Sequence, residues 1–327
     1  MKIAFVGKGG SGKTTLASLA VAHLVAQRRP VLAIDADINQ HLACALGASE
    51  VEAAALPALG DHLPLIKDHL RGANPRINSV GSMIKTTPPG AGSRLVTVVE
   101  GNPIYTACLR AVGGAQLAVT GPFSEDDLGV ACYHSKIGAV ELLLNHMVDG
   151  PGEYVVVDMT AGADSFASGL FTRFDLTFIV CEPTLRSVGV YRQYVDHARG
   201  YDVVVAAVGN KVHDADDLAF LQDQLGDSLL THLTRSDHVR AAERGESRPI
   251  AYLEDSNRAA LETIVARADA AEKDWPRYQR QAVEFHLRNA HSWGNDRTGE
   301  DLAGQVDPDF VLGPDTLAAS GRRPVNG

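Results

Sequence analysis

The chain has 327 residues, 45% hydrophobic and 21% charged, a balance that suits an ordinary globular protein with one large α/β domain and accessories. Its 30 Lys and Arg against 40 Asp and Glu give a formal net charge of −10, which argues against non-specific nucleic-acid binding, since that needs a basic footprint. Cys44, Cys108, Cys132 and Cys181 are scattered, so no disulfide scaffold is expected; with no signal peptide ahead of residue 7 and no apolar run near the ~18 residues of a spanning helix, the expected location is cytoplasmic.

An apolar strand, Lys2 to Val6, runs straight into Gly7-Lys8-Gly9-Gly10-Ser11-Gly12-Lys13-Thr14-Thr15 and then into an apolar helical stretch, Leu16 to Val25. Strand, glycine-rich loop and helix in that order form a phosphate-binding loop. The glycines let backbone N–H groups converge on phosphate oxygens, Lys13 places an ammonium on the β and γ phosphates, and the Thr14 hydroxyl can hold Mg2+. The helix adds its positive dipole end to the same anion.

Lys8, directly after the first glycine, makes this stretch resemble the signature of the deviant Walker A ATPases, the MinD, ParA and nitrogenase-iron-protein group. The resemblance implies a doubly wound, mostly parallel α/β sheet flanked by helices, with ATP as the nucleotide bound along Gly9 to Thr15. It also implies an ATP-driven homodimer in which Lys8 of each subunit reaches the partner's phosphates, a cation supplied in trans to the transferring phosphoryl group.

Next, Pro30 to Asp35 has the form of a buried parallel strand that delivers Asp35-Ala36-Asp37-Ile38-Asn39 to the carboxyl edge of the sheet, where doubly wound folds bind ligands. This resembles the group's switch I, in which the second aspartate, here Asp37, orients the attacking water. Residues from about 46 to 94 carry Ala-rich helical pieces and several prolines; they are expected as an insertion over the nucleotide face or a partner surface. Leu95 to Glu100 and Gln116 to Thr120 are candidate strands, with Gly101-Asn102-Pro103 and Gly113-Gly114 as breakers.

Cys132-Tyr133-His134 precedes an apolar-periodic helix, Ile137 to Met147, and then a strong strand, Glu153 to Asp158. An aliphatic run ending in aspartate has the form of a Walker B strand, whose Asp158 would share Mg2+ with Thr14. The following Met159-Thr160-Ala161-Gly162 resembles switch II, in the variant associated with CooC-type ATPases, the nickel-insertion factors of carbon monoxide dehydrogenase; by that resemblance Gly162 donates its N–H toward the γ phosphate. CooC-type proteins carry Cys-x-Cys near residue 132. Here His134 stands for the second cysteine, so Cys132 and His134 from two subunits are a candidate Zn2+ or Ni2+ site at the dimer interface.

Leu176 to Val180 leads into Cys181-Glu182-Pro183-Thr184, which resembles the group's Val-x-Glu-Pro segment, and Asp202 to Val208 leads into Gly209-Asn210-Lys211. In the group an asparagine at the latter place reads the adenine edge, and Asn210 has the donor and acceptor this needs. Helices from about 255 to 288, interrupted at Pro276, close an ATPase domain expected over 1–288, with 289–327 an irregular tail. The whole implies a slow Mg-ATPase that couples dimerisation to metallocentre assembly on an unidentified client protein, without nucleic acid or stable membrane insertion. The alternative is a positioning or partner-recruiting switch of the MinD and ParA type, without metal.

Overall fold

The structure is a computed structural model that describes residues 1–37, 39–121, 133–160, 166, 168–246 and 248–319. Its strands are β1 (Lys2–Gly7), β2 (Val31–Ala36), β3 (Arg110–Val112), β4 (Ala115–Val119), β5 (Tyr154–Thr160), β6 (Leu176–Cys181), β7 (Val205–Val212) and β8 (Leu229–Thr234). They form one sheet in the order β3-β4-β2-β5-β1-β6-β7-β8, parallel throughout except where β3 meets β4. The longer helices are α1 (Lys13–Ala26), α2 (Leu63–Arg71), α3 (Tyr133–Asn145), α4 (Leu185–Ala198), α5 (Ala215–Leu225), α6 (Asp255–Asp269) and α7 (Trp275–Asn289).

β1, β2 and β6 are buried along their whole length, which is why their sequences are continuous apolar runs instead of alternations. Successive side chains still go to opposite faces. Ile3 and Phe5 share a core with Leu16 and Leu24 of α1 and Leu261 and Ile264 of α6; Ala4 and Val6 share the other with Leu142 and Leu143 of α3 and Val188 of α4. Helices on both faces of a parallel sheet give the expected doubly wound α/β class. The chain leaves β1 for β2 on one side, and after β5 crosses to β6 on the other, so the carboxyl end of β1 is a switch point. Parallel register there sets Phe5 beside Asp158, and Asp158 beside Asp35.

Two stretches depart from the expected elements. Leu95 to Glu100 is not a strand of the sheet: Val96 alone pairs, in a single bridge to Met147, while Leu95, Val96 and Val98 are buried by packing. The edge place is taken instead by the β3–β4 hairpin, for which Gly113-Gly114 is the two-residue turn. Of residues 46–94, Leu46, Ala48, Ala53 and Leu56 pack against the α1-side core, and the rest lies on the α3 side of the sheet, with Leu59, Ile66, Leu70, Ile77 and Met83 in its core.

The C-terminal stretch, expected as an irregular tail, is folded as far as residue 319. A π turn (Ala290–Gly294), a 3-10 turn (Leu302–Gln305) and a short helix (Pro314–Ala319) bury Leu302, Leu312 and Leu317. Gln305 stitches it to the 79–94 segment, donating from Nε2 to the Ser82 carbonyl at 2.9 Å and accepting from Thr87 Oγ1 at 3.0 Å. Its apolar residues are isolated in sequence, so no period announces them, yet Leu302, Leu312 and Leu317 are buried while Val311 stays exposed. Among the described residues, no helix is long and apolar enough to cross a membrane.

Candidate functional site

The loop between β1 and α1 is held open by glycine geometry. Gly12 caps α1 with φ +94, in the left-handed region, and a Cβ there would overlap the Asn210 side-chain amide. No side chain caps the first turn of α1, so its N–H groups remain for a ligand. From behind, Asn210 Nδ2 donates to the Ser11 carbonyl at 2.8 Å, and Lys211 Nζ donates to the Gly10 carbonyl at 2.6 Å. The Ser11 hydroxyl is buried without a hydrogen-bond partner.

Carboxylates from the ends of two strands, β2 and β5, converge on the loop. Lys13, mostly buried, forms an ion pair with Asp37, which is 3% exposed. Asp37 Oδ1 also accepts from the Asn39 N–H at 3.0 Å, fixing the carboxylate over the loop. Asp35 shapes this turn by accepting from the Asp37 N–H at 3.1 Å and the Leu42 N–H at 2.8 Å. At the end of β5, Asp158 Oδ2 accepts from Thr14 Oγ1 at 2.5 Å, while Oδ1 is buried with no partner.

Such crowding has an electrostatic cost. Burial, reinforced by Asp158, pushes the Asp35 carboxyl up to about 7. Burial likewise pushes Asp158 up to about 6 against the pull of Lys13 and the Thr14 hydrogen bond. A hydroxyl and a carboxylate with an unused buried oxygen are hard donors of the kind Mg2+ takes, so Thr14 and Asp158 fit the ion that accompanies a nucleotide. Bound there it would supply the positive charge these carboxyls lack.

A second ion cluster flanks the loop. Glu182, just beyond β6, receives Lys211 Nζ at 2.8 Å on one oxygen and lies 3.9 Å from Lys8 Nζ through the other. Lys8 thereby lies beside a carboxylate of its own chain. A cleft of ≈ 390 Å³ opens beside the loop, lined by Thr15, Leu19, Asn210, Lys211, Arg235 and Ser236 among others. Asn210 and Lys211 are both in its lining, with the Asn210 side-chain N–H turned to the Ser11 carbonyl.

The structure therefore brings together Lys8, Gly9, Gly10, Ser11, Gly12, Lys13, Thr14, Thr15, Asp37, Asp158, Asn210 and Lys211. Gly162 and Cys132 lie outside the described residues, as does the side chain of His134; only its backbone, in the first turn of α3, is described. Among the described residues, no group of three or more His, Cys, Asp or Glu is arranged to hold a metal ion. Sequence reading passed over Glu182 as a counter-ion and Arg235 as a cleft residue. The signal for Glu182 was its place at the carboxyl end of a buried strand, the same place that singled out Asp35 and Asp158.

Comparison with known proteins agrees with this geometry. Residues 3–249 match the CobQ/CobB/MinD/ParA nucleotide binding domain. The carbon monoxide dehydrogenase accessory protein CooC of Rhodospirillum rubrum is 28% identical over 246 residues, 75% of this chain and 87% of its own. Among solved structures, a ParA family ATPase from Chlorobium tepidum superposes with a TM-score of 0.54 at 14% identity, covering 82% of this chain and 96% of its own. The Pyrococcus furiosus cell division ATPase MinD does so with a TM-score of 0.53 at 16% identity, covering 82% and 99%. This chain belongs to the CobQ/CobB/MinD/ParA family of nucleotide-binding P-loop proteins.

Proposed function

From that membership we propose that the chain binds Mg-ATP, hydrolyses it slowly, and uses the bound nucleotide to close a homodimer that serves metallocentre assembly. The observation that carries the ATPase reading is the pairing of Lys13 with Asp37 beside that of Thr14 with Asp158. An arriving triphosphate takes Lys13 for its own oxygens. Asp37 is then released next to the terminal phosphate, where a carboxylate can orient water for in-line attack. Slow turnover suits a site in which nucleotide state, not product, is the output.

Two triphosphates facing each other repel, so a closed dimer needs cations between them. In this reading Lys8 leaves Glu182 and crosses to the partner's phosphates. The metallocentre role rests on the similarity to CooC and on the sequence Cys132-Tyr133-His134, whose two candidate ligands would pair with their symmetry mates to hold a cargo ion. Metal analysis of the purified protein with and without Mg-ATP tests it: about one Zn2+ or Ni2+ per dimer, lost in Cys132→Ser, is expected. A metal-free dimer that forms normally would instead favour the partner-recruiting switch.

A further inference from the structure

Away from the phosphate loop, a cavity of ≈ 680 Å³ lies between α2, the 81–85 turn, α3 and the end of α7. Its lining contains Lys67, Lys85, Arg288 and Arg297, and no Asp or Glu among the described residues. In a chain with ten more acids than bases that is a local inversion of charge. Arg288 is engaged elsewhere, on Glu284 at 2.6 Å and the Tyr201 hydroxyl at 2.6 Å. Lys67, Lys85 and Arg297 make no ion pair or hydrogen bond among the described residues; behind Lys85 stands only Glu141, whose carboxyl burial pushes up to about 7. Lys67 is half-buried, and burial followed by the charge of Arg297 lowers its ammonium below the usual lysine range. Two cations are thus held near one another without an anion between them.

The remaining wall is apolar and preformed. Trp293 lies in the π turn that ends α7, its Nε1 donating to Asn289 Oδ1 at 3.0 Å, and Met83 and Ile84 stand opposite in the lining. Ile84, Ala290, Leu302 and Trp293 pack as one cluster. Gly294 lets the turn approach so closely that a Cβ there would meet Leu302 Cδ1 at 2.9 Å and Asn289 O at 3.2 Å. π turns are rare and recur at binding sites, where the extra residue re-aims side chains. Trp293, Ala290 and Leu302 of this wall lie beyond 249, where the match to the nucleotide-binding family ends, while Met83 and Ile84 lie within it, so the family's chemistry does not explain the C-terminal half.

We propose that this cavity is a second ligand site, for a small organic phosphate whose charged group sits between Lys67 and Arg297 and whose apolar body lies on Trp293, Met83 and Ile84. Lys67, half-buried, and Arg297, exposed over the Trp293 ring, can each supply a charge-assisted hydrogen bond without first giving up a carboxylate. An aromatic and aliphatic wall of this volume suits a small molecule.

The test is calorimetric titration of the full chain with phenyl phosphate, with inorganic phosphate and phenol as controls for its two halves. Saturable binding at one site per chain is expected in wild type and equally in Lys13→Ala, which separates this cavity from the phosphate loop. Lys67→Met and Arg297→Gln should each weaken binding about tenfold or more, since each removes a charge-assisted contact. Lys67 makes no ion pair or hydrogen bond among the described residues, so Lys67→Met should melt no lower than wild type, whereas Arg297→Gln also loses the contact of the guanidinium with the Trp293 ring, 5.7 Å from its centroid, and is read by affinity at a temperature well below its own midpoint. Quenching of tryptophan fluorescence on binding should disappear in Trp293→Phe. Undiminished affinity in the Lys67→Met/Arg297→Gln double variant, or loss of binding in Lys13→Ala, would overturn the assignment. So would the absence of saturable binding, including the case in which only a polyglutamate peptide binds and the occupant is an acidic protein segment.

Discussion

Two of the places where this acidic chain gathers lysine and arginine, the phosphate loop and the cavity beside α7, differ in how the charge is answered. Around the phosphate loop each lysine has a carboxylate: Lys13 has Asp37, while Lys8 and Lys211 share Glu182. In the cavity beside α7, Lys67 and Arg297 face one another with none. A ligand entering the first site must displace carboxylates, so binding releases groups that can act. A ligand entering the second meets no lining carboxylate among the described residues to displace, so binding there is reception alone. Paired cations make a switch, and unpaired ones make a receptor.

The largest expected effect breaks the first site at its centre. Lys13→Ala should cost nucleotide affinity about a hundredfold or more, because it removes charge-assisted contacts to two phosphates and leaves Asp37 facing them. Titration with a fluorescent ATP analogue measures this, and equal affinity in both proteins would mean that Lys13 is not a phosphate ligand. Next in size, Asp37→Ala should hold or raise ATP affinity, since Lys13 no longer has to be taken from it. Turnover should fall by about 10²–10⁴, the usual range for removing a group that handles the attacking water's proton. Phosphate release under single-turnover conditions separates the two effects; a parallel loss of binding and rate would return Asp37 to a purely structural role.

A pH dependence sharpens the contrast. Asp158 and Asp35 have folded-state values of about 6 and 7, raised above the ordinary carboxyl value by burial, so between pH ~4 and ~7 these two carboxyls hold more protons folded than unfolded, while the lowered His23, His146, His238 and His286 work in the opposite sense. The stability that the two carboxyls contribute to the nucleotide-free protein should therefore fall as pH rises through that window and level off above it. Relative to wild type, Asp158→Asn should remove its share of that fall, leaving those of Asp35 and of Glu141, which burial pushes up to about 7. Denaturant midpoints from pH 4.5 to 8 are the measurement, and a slope unchanged by Asp158→Asn would refute this electrostatic origin. The smallest effect belongs to Glu182→Gln, whose pairs are partly solvent-exposed: ATP affinity should change only a few-fold, in the direction of tighter binding as Lys8 and Lys211 are freed. Weaker binding would show that Glu182 orders the loop instead of restraining its lysines.

The first site was legible in sequence because its chemistry is local. Glycines, Lys13 and Thr14 are adjacent, and Asp35, Asp37 and Asp158 each follow an apolar run whose end must reach the carboxyl edge of the sheet. The second site was not. Lys67, Lys85, Trp293 and Arg297 come from segments separated by more than two hundred residues, and the C-terminal apolar residues that close it follow neither a helical nor a strand period. Leu95 to Glu100 misled for a related reason: burial makes a β-like pattern whether or not a pairing partner exists, and here the sheet edge was already taken by the β3–β4 hairpin.

The central claim is that ATP moves the loop's lysines from carboxylates of their own chain to phosphates, Lys8 across a two-fold axis. Light scattering of hydrolysis-impaired Asp37→Ala protein with Mg-ATP, with and without an added Lys8→Ala change, tests this most directly. The expected result is a dimer for Asp37→Ala and a nucleotide-bound monomer for the double variant. A monomer in Asp37→Ala at high concentration, or a dimer that persists without Lys8, would contradict it.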